Sequence, residues 1–109
     1  MVFVAPDLIF AEISSVAAKR VRRGEVSRDL AQAAVEALGD LVDVVSPTRT
    51  LSLRAFQLAA DHGLSAYDGV YLALAELRQT TVVTADVKLI DRASRRGLSN
   101  LVCRVEDLC

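Results

Sequence analysis

Along the first part of the chain, a short run of β-favouring residues is followed by apolar residues at helical spacing. Residues 1–5 form the run, Pro6 ends it, and Asp7 is the expected N-cap of the helix that comes next. We expect Gly24 to end this helix, because glycine readily adopts the left-handed conformation found just after helices. The apolar positions of the helix are Leu8, Ile9, Ile13, Val16, Ala17 and Val21.

The middle of the chain predicts a second helix, a strand and a third helix. Ser27 is a suitable N-cap for a helix that runs to about Leu38, where Gly39 is expected to end it. The valine-rich segment 42–46 predicts a strand bounded by Pro47, and a third helix is expected to begin at Thr48. Helices are thus expected on both sides of this strand along the chain.

The last part of the chain repeats the same alternation of helices and short apolar strands. Ser65 is the expected N-cap of a helix over 66–78, and the β-branched run 80–84 predicts a strand. A further helix over 87–96 and a final strand over 100–105 follow. This alternation is typical of an α/β fold in which helices cover both faces of a parallel sheet.

Composition narrows the class of protein. The chain has 109 residues, of which 52% are hydrophobic, so we expect a single folded domain over 1–109 and exclude a disordered chain. The net charge of −1 excludes a general basic surface for nucleic acid. Two cysteines, Cys103 and Cys109, are too few for a disulfide framework, which favours a cytoplasmic protein. We expect neither a membrane span nor a signal peptide.

Three acids stand where an open parallel sheet gathers its functional groups. Asp86 directly follows a predicted strand, Asp68 lies in the first turn of a helix, and Glu12 lies in an early turn beside apolar residues. Carboxylates that converge repel one another unless a cation joins them. Oxygen ligands suit Mg²⁺ or Mn²⁺, and such a cation can activate water against a phosphodiester.

Each of these acids also has a purely structural explanation. Asp68 completes a Ser65-x-x-Asp68 pattern that resembles a capping box and is favoured at a helix N-terminus. Asp86 is also explained as the N-cap of the last helix, which is the commoner role of an Asp between a strand and a helix. The structural explanation for Glu12 is an ion pair one turn away on the helix surface, although those positions hold the apolar residues Leu8 and Val16.

The remaining polar residues favour structural roles over chemistry. The single histidine, His62, stands at a predicted helix end, where a positive charge is stabilised by the helix dipole. The same dipole explains most of two basic clusters, and a surface that contacts phosphate groups is the alternative. These clusters are Lys19, Arg20, Arg22 and Arg23, and Arg92, Arg95 and Arg96.

Three segments, taken in order and with their spacing, closely resemble PIN-domain proteins of the VapC toxin type. They are residues 5–13 (APDLIFAEI), 64–75 (LSAYDGVYLALA) and 82–90 (VVTADVKLI). The resemblance implies a PIN-like parallel sheet sandwiched by helices. It also implies a metal-dependent endoribonuclease from a toxin–antitoxin pair.

The resemblance assigns roles to individual residues of this chain. It implies that Glu12, Asp68 and Asp86 are catalytic and bind Mg²⁺ or Mn²⁺, with Thr84 in a supporting position. Asp91, one turn further along the last helix, is an additional supporting candidate. The implied partners are an RNA substrate, a cognate antitoxin and a second copy of the chain in a homodimer, with no membrane. Weak candidates for RNA contact are Arg20 and Arg23.

The chain departs from the family pattern at its start. PIN proteins open with a strand that ends in an Asp, the first metal ligand, whereas this sequence begins at what resembles the second strand. We therefore expect an N-terminally truncated fold and a weakened activity. The alternatives are a non-catalytic PIN-like remnant that dimerises or binds an antitoxin, and a complete enzyme whose start lies further upstream.

Overall fold

A computed structural model of the chain describes residues 2–84 and 87–104, apart from the side chains of residues 83, 84, 87, 88, 103 and 104. It contains short parallel strands and longer helices, which confirms the predicted α/β class. The elements are β1 (Val4–Pro6), α1 (Leu8–Arg22), α2 (Arg28–Leu41), β2 (Val44–Ser46), α3 (Thr48–His62), α4 (Ala66–Arg78), β3 (Val82–Thr84), α5 (Val87–Arg95), a 3₁₀ turn (Ser99–Leu101) and β4 (Val102–Arg104). The chain divides into two compact units, Met1–Thr48 and Arg49–Cys109.

In the first unit, β1 pairs in parallel with β2, and α1 packs against α2. The pairing aligns Val4 with Val44 and Pro6 with Ser46. Pro6 is therefore the last residue of the strand, whereas the sequence had predicted a strand that stops at Ala5. A proline is tolerated there because the next residue, Asp7, donates its own backbone N–H to the Ser46 carbonyl at 2.9 Å.

The two ends of α1 differ in how well the sequence predicted them. Asp7 precedes the helix but has helical backbone angles and makes no side-chain cap to it, so the prediction of an N-cap was wrong. The prediction for Gly24 is confirmed, since it has φ +70° just after the helix. Its N–H donates to Val21 and the N–H of Glu25 donates to Arg20, both at 3.0 Å, which is a Schellman motif.

Helix α2 begins as predicted and ends later than predicted. The Ser27 hydroxyl accepts the Leu30 N–H at 3.2 Å, which confirms the N-cap. Gly39 lies inside the helix, which runs to Leu41 before Val42 turns to an extended conformation. Glycine permits a helix end without forcing one, and the following strand is shorter as a result.

The second unit has its core along α3 and α4. Leu58 and Leu72 are essentially fully buried, and most of the residues from 69 to 75 on α4 are excluded from solvent. Gly69 lets these helices approach closely, because a Cβ at this position would lie 2.5 Å from the Ala55 carbonyl oxygen. The other buried apolar residues of this unit include Leu51, Ala55, Leu64, Val70, Ala73, Leu74, Ala75, Leu89, Ala93, Leu98 and Leu101.

A bidentate ion pair joins α3 to α4 at the surface. Arg54 donates from Nε to Glu76 Oε2 at 2.7 Å and from Nη2 to Glu76 Oε1 at 2.9 Å. These hydrogen bonds lower the pKa of Glu76 below its ordinary value and raise the pKa of Arg54. The pair therefore adds an electrostatic tie to the apolar contact between the helices.

The second unit also holds a parallel pair of strands, β3 and β4, which aligns Val82 with Val102. Both strands begin later than predicted: residues 80–81 precede β3, and a 3₁₀ turn replaces the start of the predicted final strand. Among the helices that the structure describes, none is both long enough and apolar enough to cross a membrane.

Candidate active site

Asp68 is the third residue of α4, and its backbone is fixed by a predicted cap. The Ser65 hydroxyl accepts the Asp68 N–H at 3.1 Å, which confirms the N-cap half of the predicted capping box. The carboxylate thus lies in the first helical turn, where the unpaired N–H groups of the helix favour a negative charge.

The Asp68 carboxylate forms an ion pair with Arg92, a residue of α5. Arg92 Nη2 donates to Asp68 Oδ2 at 2.8 Å, and the two side chains are 34% and 19% exposed. The sequence places Arg92 in a basic cluster and did not predict this contact. Since 24 residues separate the two partners, no helical or strand spacing indicates it.

The other arginines of the α5 cluster are also engaged. Arg95 pairs with Asp91 at 3.2 Å within the same helix, and these side chains are 75% and 55% exposed. Arg96 donates from Nη1 to the Arg92 carbonyl at 3.0 Å and from Nε to the His62 carbonyl. These contacts favour the structural explanation for this cluster over a phosphate-binding surface.

The other predicted acids are Glu12, Asp86 and Asp91, and they differ in their surroundings or in whether the structure describes them. Glu12 lies on α1 in the first unit and is half-buried. Asp86 lies outside the described residues. Asp91 is exposed and paired with Arg95, which is a typical surface contact along a helix.

Thr84 is described only by its backbone. It is the last residue of β3 and aligns with Arg104 of β4. The prediction that its side chain supports the acids therefore lies outside what is described. Its position at the carboxyl end of a parallel strand agrees with the place where open α/β sheets gather functional groups.

The atoms that the predicted acids offer as ligands decide whether these residues suit Mg²⁺ or Mn²⁺. Glu12, Asp68 and Asp86 offer carboxylate oxygens, which are the ligands that Mg²⁺ and Mn²⁺ prefer. Among residues 2–84 and 87–104, no three His, Cys, Asp or Glu side chains are grouped closely enough to hold a metal ion. The chemistry of the donors fits the cation, and Asp68 is the acid whose surroundings are described in most detail.

The family profile of the PIN domain matches residues 2–95 of this chain. The chain belongs to the PIN-domain family. This confirms the resemblance and the fold class predicted from the sequence, and the matched region contains Glu12, Asp68 and Asp86.

The chain is also similar in sequence to two ribonucleases. Ribonuclease VapC1 of Mycobacterium tuberculosis, from strain CDC 1551 / Oshkosh and from strain ATCC 25618 / H37Rv, is 32% identical to this chain over 85 residues. The similar region covers 78% of this chain and 63% of each relative. The chain thus spans less than two thirds of the length of these relatives.

Proposed function

We propose that this PIN-domain protein is a metal-dependent endoribonuclease of the VapC toxin type. The observation that carries the proposal is the family match over residues 2–95, which takes in all three candidate acids. The identity of 32% with ribonuclease VapC1 supports RNA as the substrate. We also propose that residues 1–109 act as one PIN-like domain, for which a single cooperative melting transition is the test.

Glu12, Asp68 and Asp86 are the residues that would hold Mg²⁺ or Mn²⁺ in this proposal. When bound, the cation lowers the pKa of a water molecule and stabilises negative charge on the phosphodiester. The chain contributes at least one carboxylate, that of Asp68, that is held in place before the substrate arrives. Asp68 illustrates this, because Ser65 fixes its backbone and Arg92 fixes its carboxylate.

Arg20 and Arg23 are our candidates for contact with the RNA backbone. Both are exposed at the C-terminal end of α1, where no ion pair with an acid of the described residues is seen. Replacing both by Ala is expected to weaken RNA binding and to reduce the slope of log affinity against log salt by about 2. An unchanged slope would remove these residues from the interface.

Cleavage of a single-stranded RNA in the presence of Mn²⁺ or Mg²⁺ tests the proposed activity. We expect cutting that EDTA stops and that Asp68→Asn abolishes. Asp29→Asn is the matched control, because Asp29 also lies in the first turn of a helix with a serine N-cap. Equal loss in both variants would attribute the effect to the helix start, and no cutting by a folded, unaltered chain would refute the nuclease.

The second candidate is a binding function without catalysis, in a homodimer or with an antitoxin. The observation that favours it is an exposed apolar pair on α3, Leu53 and Phe56, which are neighbours on the helix surface. We expect a second copy of this chain to cover the pair. The mass in solution tests the homodimer. The unaltered chain should be a dimer, and the variant with both Leu53→Ser and Phe56→Ser should be a monomer. If the unaltered chain is a monomer, the homodimer is excluded.

A further inference from the structure

The Asp68–Arg92 pair is better shielded from water than the two other ion pairs described. Its side chains are 19% and 34% exposed, whereas the Arg95–Asp91 side chains are more than half exposed. Shielding strengthens the attraction between opposite charges and the repulsion between like ones. Water therefore screens the charge of Arg92 less than it screens that of Arg95.

Both partners of this pair are held by their own helices. Ser65 accepts the Asp68 N–H at the start of α4, and Arg96 donates to the Arg92 carbonyl near the end of α5. Apolar burial anchors α5 as well, since Leu89 and Ala93 lie in the core. The backbones of both residues are thus held in place, and the guanidinium reaches the carboxylate at 2.8 Å.

We propose that Arg92 is a built-in competitor of the divalent cation for Asp68. This inference rests on the proposed function, in which Asp68 is a metal ligand. Arg92 occupies Oδ2, one of the two oxygens that Asp68 can offer, and places a positive charge where the cation must arrive. In the metal-free protein Arg92 holds the carboxylate in position. On metal binding it yields the oxygen, so that Arg92 sets the metal affinity below what the acids alone would give.

Mn²⁺ affinity, measured from the electron paramagnetic resonance of the free ion, tests this role without any RNA. Arg92→Gln is expected to bind Mn²⁺ about tenfold more tightly than the unaltered chain, because one adjacent positive charge is gone. Arg95→Gln removes the same charge from the same helix but from a different partner, Asp91. It should bind within about twofold of the unaltered chain, because exposed charges are screened.

The results separate the role of Arg92 from the proposed function. Unchanged or weaker binding by Arg92→Gln, with Mn²⁺ still bound by the unaltered chain, would overturn the competition and leave the nuclease standing. Binding by Arg92→Gln alone would support the competition. Absence of Mn²⁺ binding in every form would overturn both. A residue with only a structural role would weaken binding when replaced, so tighter binding is specific to competition.

A second measurement on the unaltered chain decides the matter if Arg92→Gln fails to fold. The guanidinium NMR signal of Arg92, identified by its absence from the spectrum of Arg92→Lys, is followed during Mg²⁺ addition. We expect it to shift with the same midpoint as the backbone amide of Asp68, while the signal of Arg95 stays in place. An Arg92 signal that stays in place while the Asp68 amide shifts would overturn the proposal.

Discussion

The carboxylate of Asp7 accepts hydrogen bonds from both the backbone N–H and the hydroxyl of Thr48, the first residue of α3. The N–H bond measures 2.9 Å, and 41 residues separate the two partners. Asp7 therefore caps a helix that begins far along the chain instead of the helix that follows it directly. Its backbone N–H also binds Ser46, so one residue joins the end of β1 to the end of β2 and the start of α3.

Replacing Asp7 by Ala should lower the melting temperature by a few degrees, and the loss should depend on pH. Hydrogen bonds from the Thr48 hydroxyl and N–H hold the pKa of Asp7 below its usual 3.8. A carboxyl whose pKa is lowered on folding stabilises the protein above its unfolded pKa, and this contribution is lost as the pH falls through the folded pKa. Thermal melts over a range of pH check the prediction.

Asp7→Asn is the matched control for this pH dependence. Its amide oxygen can still accept a hydrogen bond from Thr48. Because it has no titratable group, the difference in melting temperature between Asp7→Asn and Asp7→Ala should stay constant with pH. The difference in melting temperature between the unaltered chain and Asp7→Ala should be larger at about pH 7 than at about pH 3. If it is the same at both, within experimental error, the lowered pKa is contradicted.

Gly69→Ala should destabilise the protein, whereas Gly39→Ala should stabilise it. A Cβ at Gly69 would meet the Ala55 carbonyl oxygen at 2.5 Å, so α3 and α4 would have to separate, at a cost of about 1–3 kcal/mol. Nothing lies within 4 Å of a Cβ at Gly39, where Ala should gain about 0.5–1 kcal/mol from its helix propensity. Urea unfolding of both variants measures the two signs, and equal effects would contradict the close approach.

The Arg54–Glu76 pair should contribute modestly to stability. We expect a coupling free energy of about 0.5–1 kcal/mol from a double-mutant cycle with Arg54→Ala and Glu76→Ala, because solvent screens a pair this exposed. Since hydrogen bonds from Arg54 lower the pKa of Glu76 from its usual 4.5, the coupling should persist above that value and fade as the pH falls through the folded pKa. A coupling that grows on acidification would contradict the assignment.

Leu72→Ala should be one of the most damaging single changes in α4. The side chain is fully buried, and truncation of a buried leucine costs about 2–5 kcal/mol through lost burial and a residual cavity. Leu77→Ala, on the exposed side of the same helix, is the control and should change the free energy of unfolding by less than about 0.5 kcal/mol. Chemical unfolding of the two variants checks whether burial accounts for the difference.

The positions of α3 and α4 followed closely from the sequence. Helix α4 spans Ala66–Arg78 as predicted, with the expected serine cap, and α3 begins at Thr48. These features rest on contacts between residues a few positions apart, such as the Ser65 hydroxyl with the Asp68 N–H. Local rules were less successful at Gly39 and at the strand ends, where packing and chain pairing compete with intrinsic preference.

The sequence by itself determined the α/β class, the PIN-family membership and the identity of the candidate acids. All three follow from short motifs and periodic patterns that can be recognised without knowing which distant residues meet. The geometry of a joint metal site does not follow from such patterns, and the roles of Glu12, Asp68 and Asp86 stay predictions.

Only the tertiary structure decided which side chains meet across long stretches of chain. The contacts of Asp7 with Thr48 and of Arg92 with Asp68 join residues separated by 41 and 24 positions. Hydrophobic periodicity carries no information about such partners, because hydrogen bonds and ion pairs depend on positions and directions that exist only once the helices and strands have packed. For that reason a capping role could be assigned to the wrong helix, and the counter-ion of Asp68 could not be named at all.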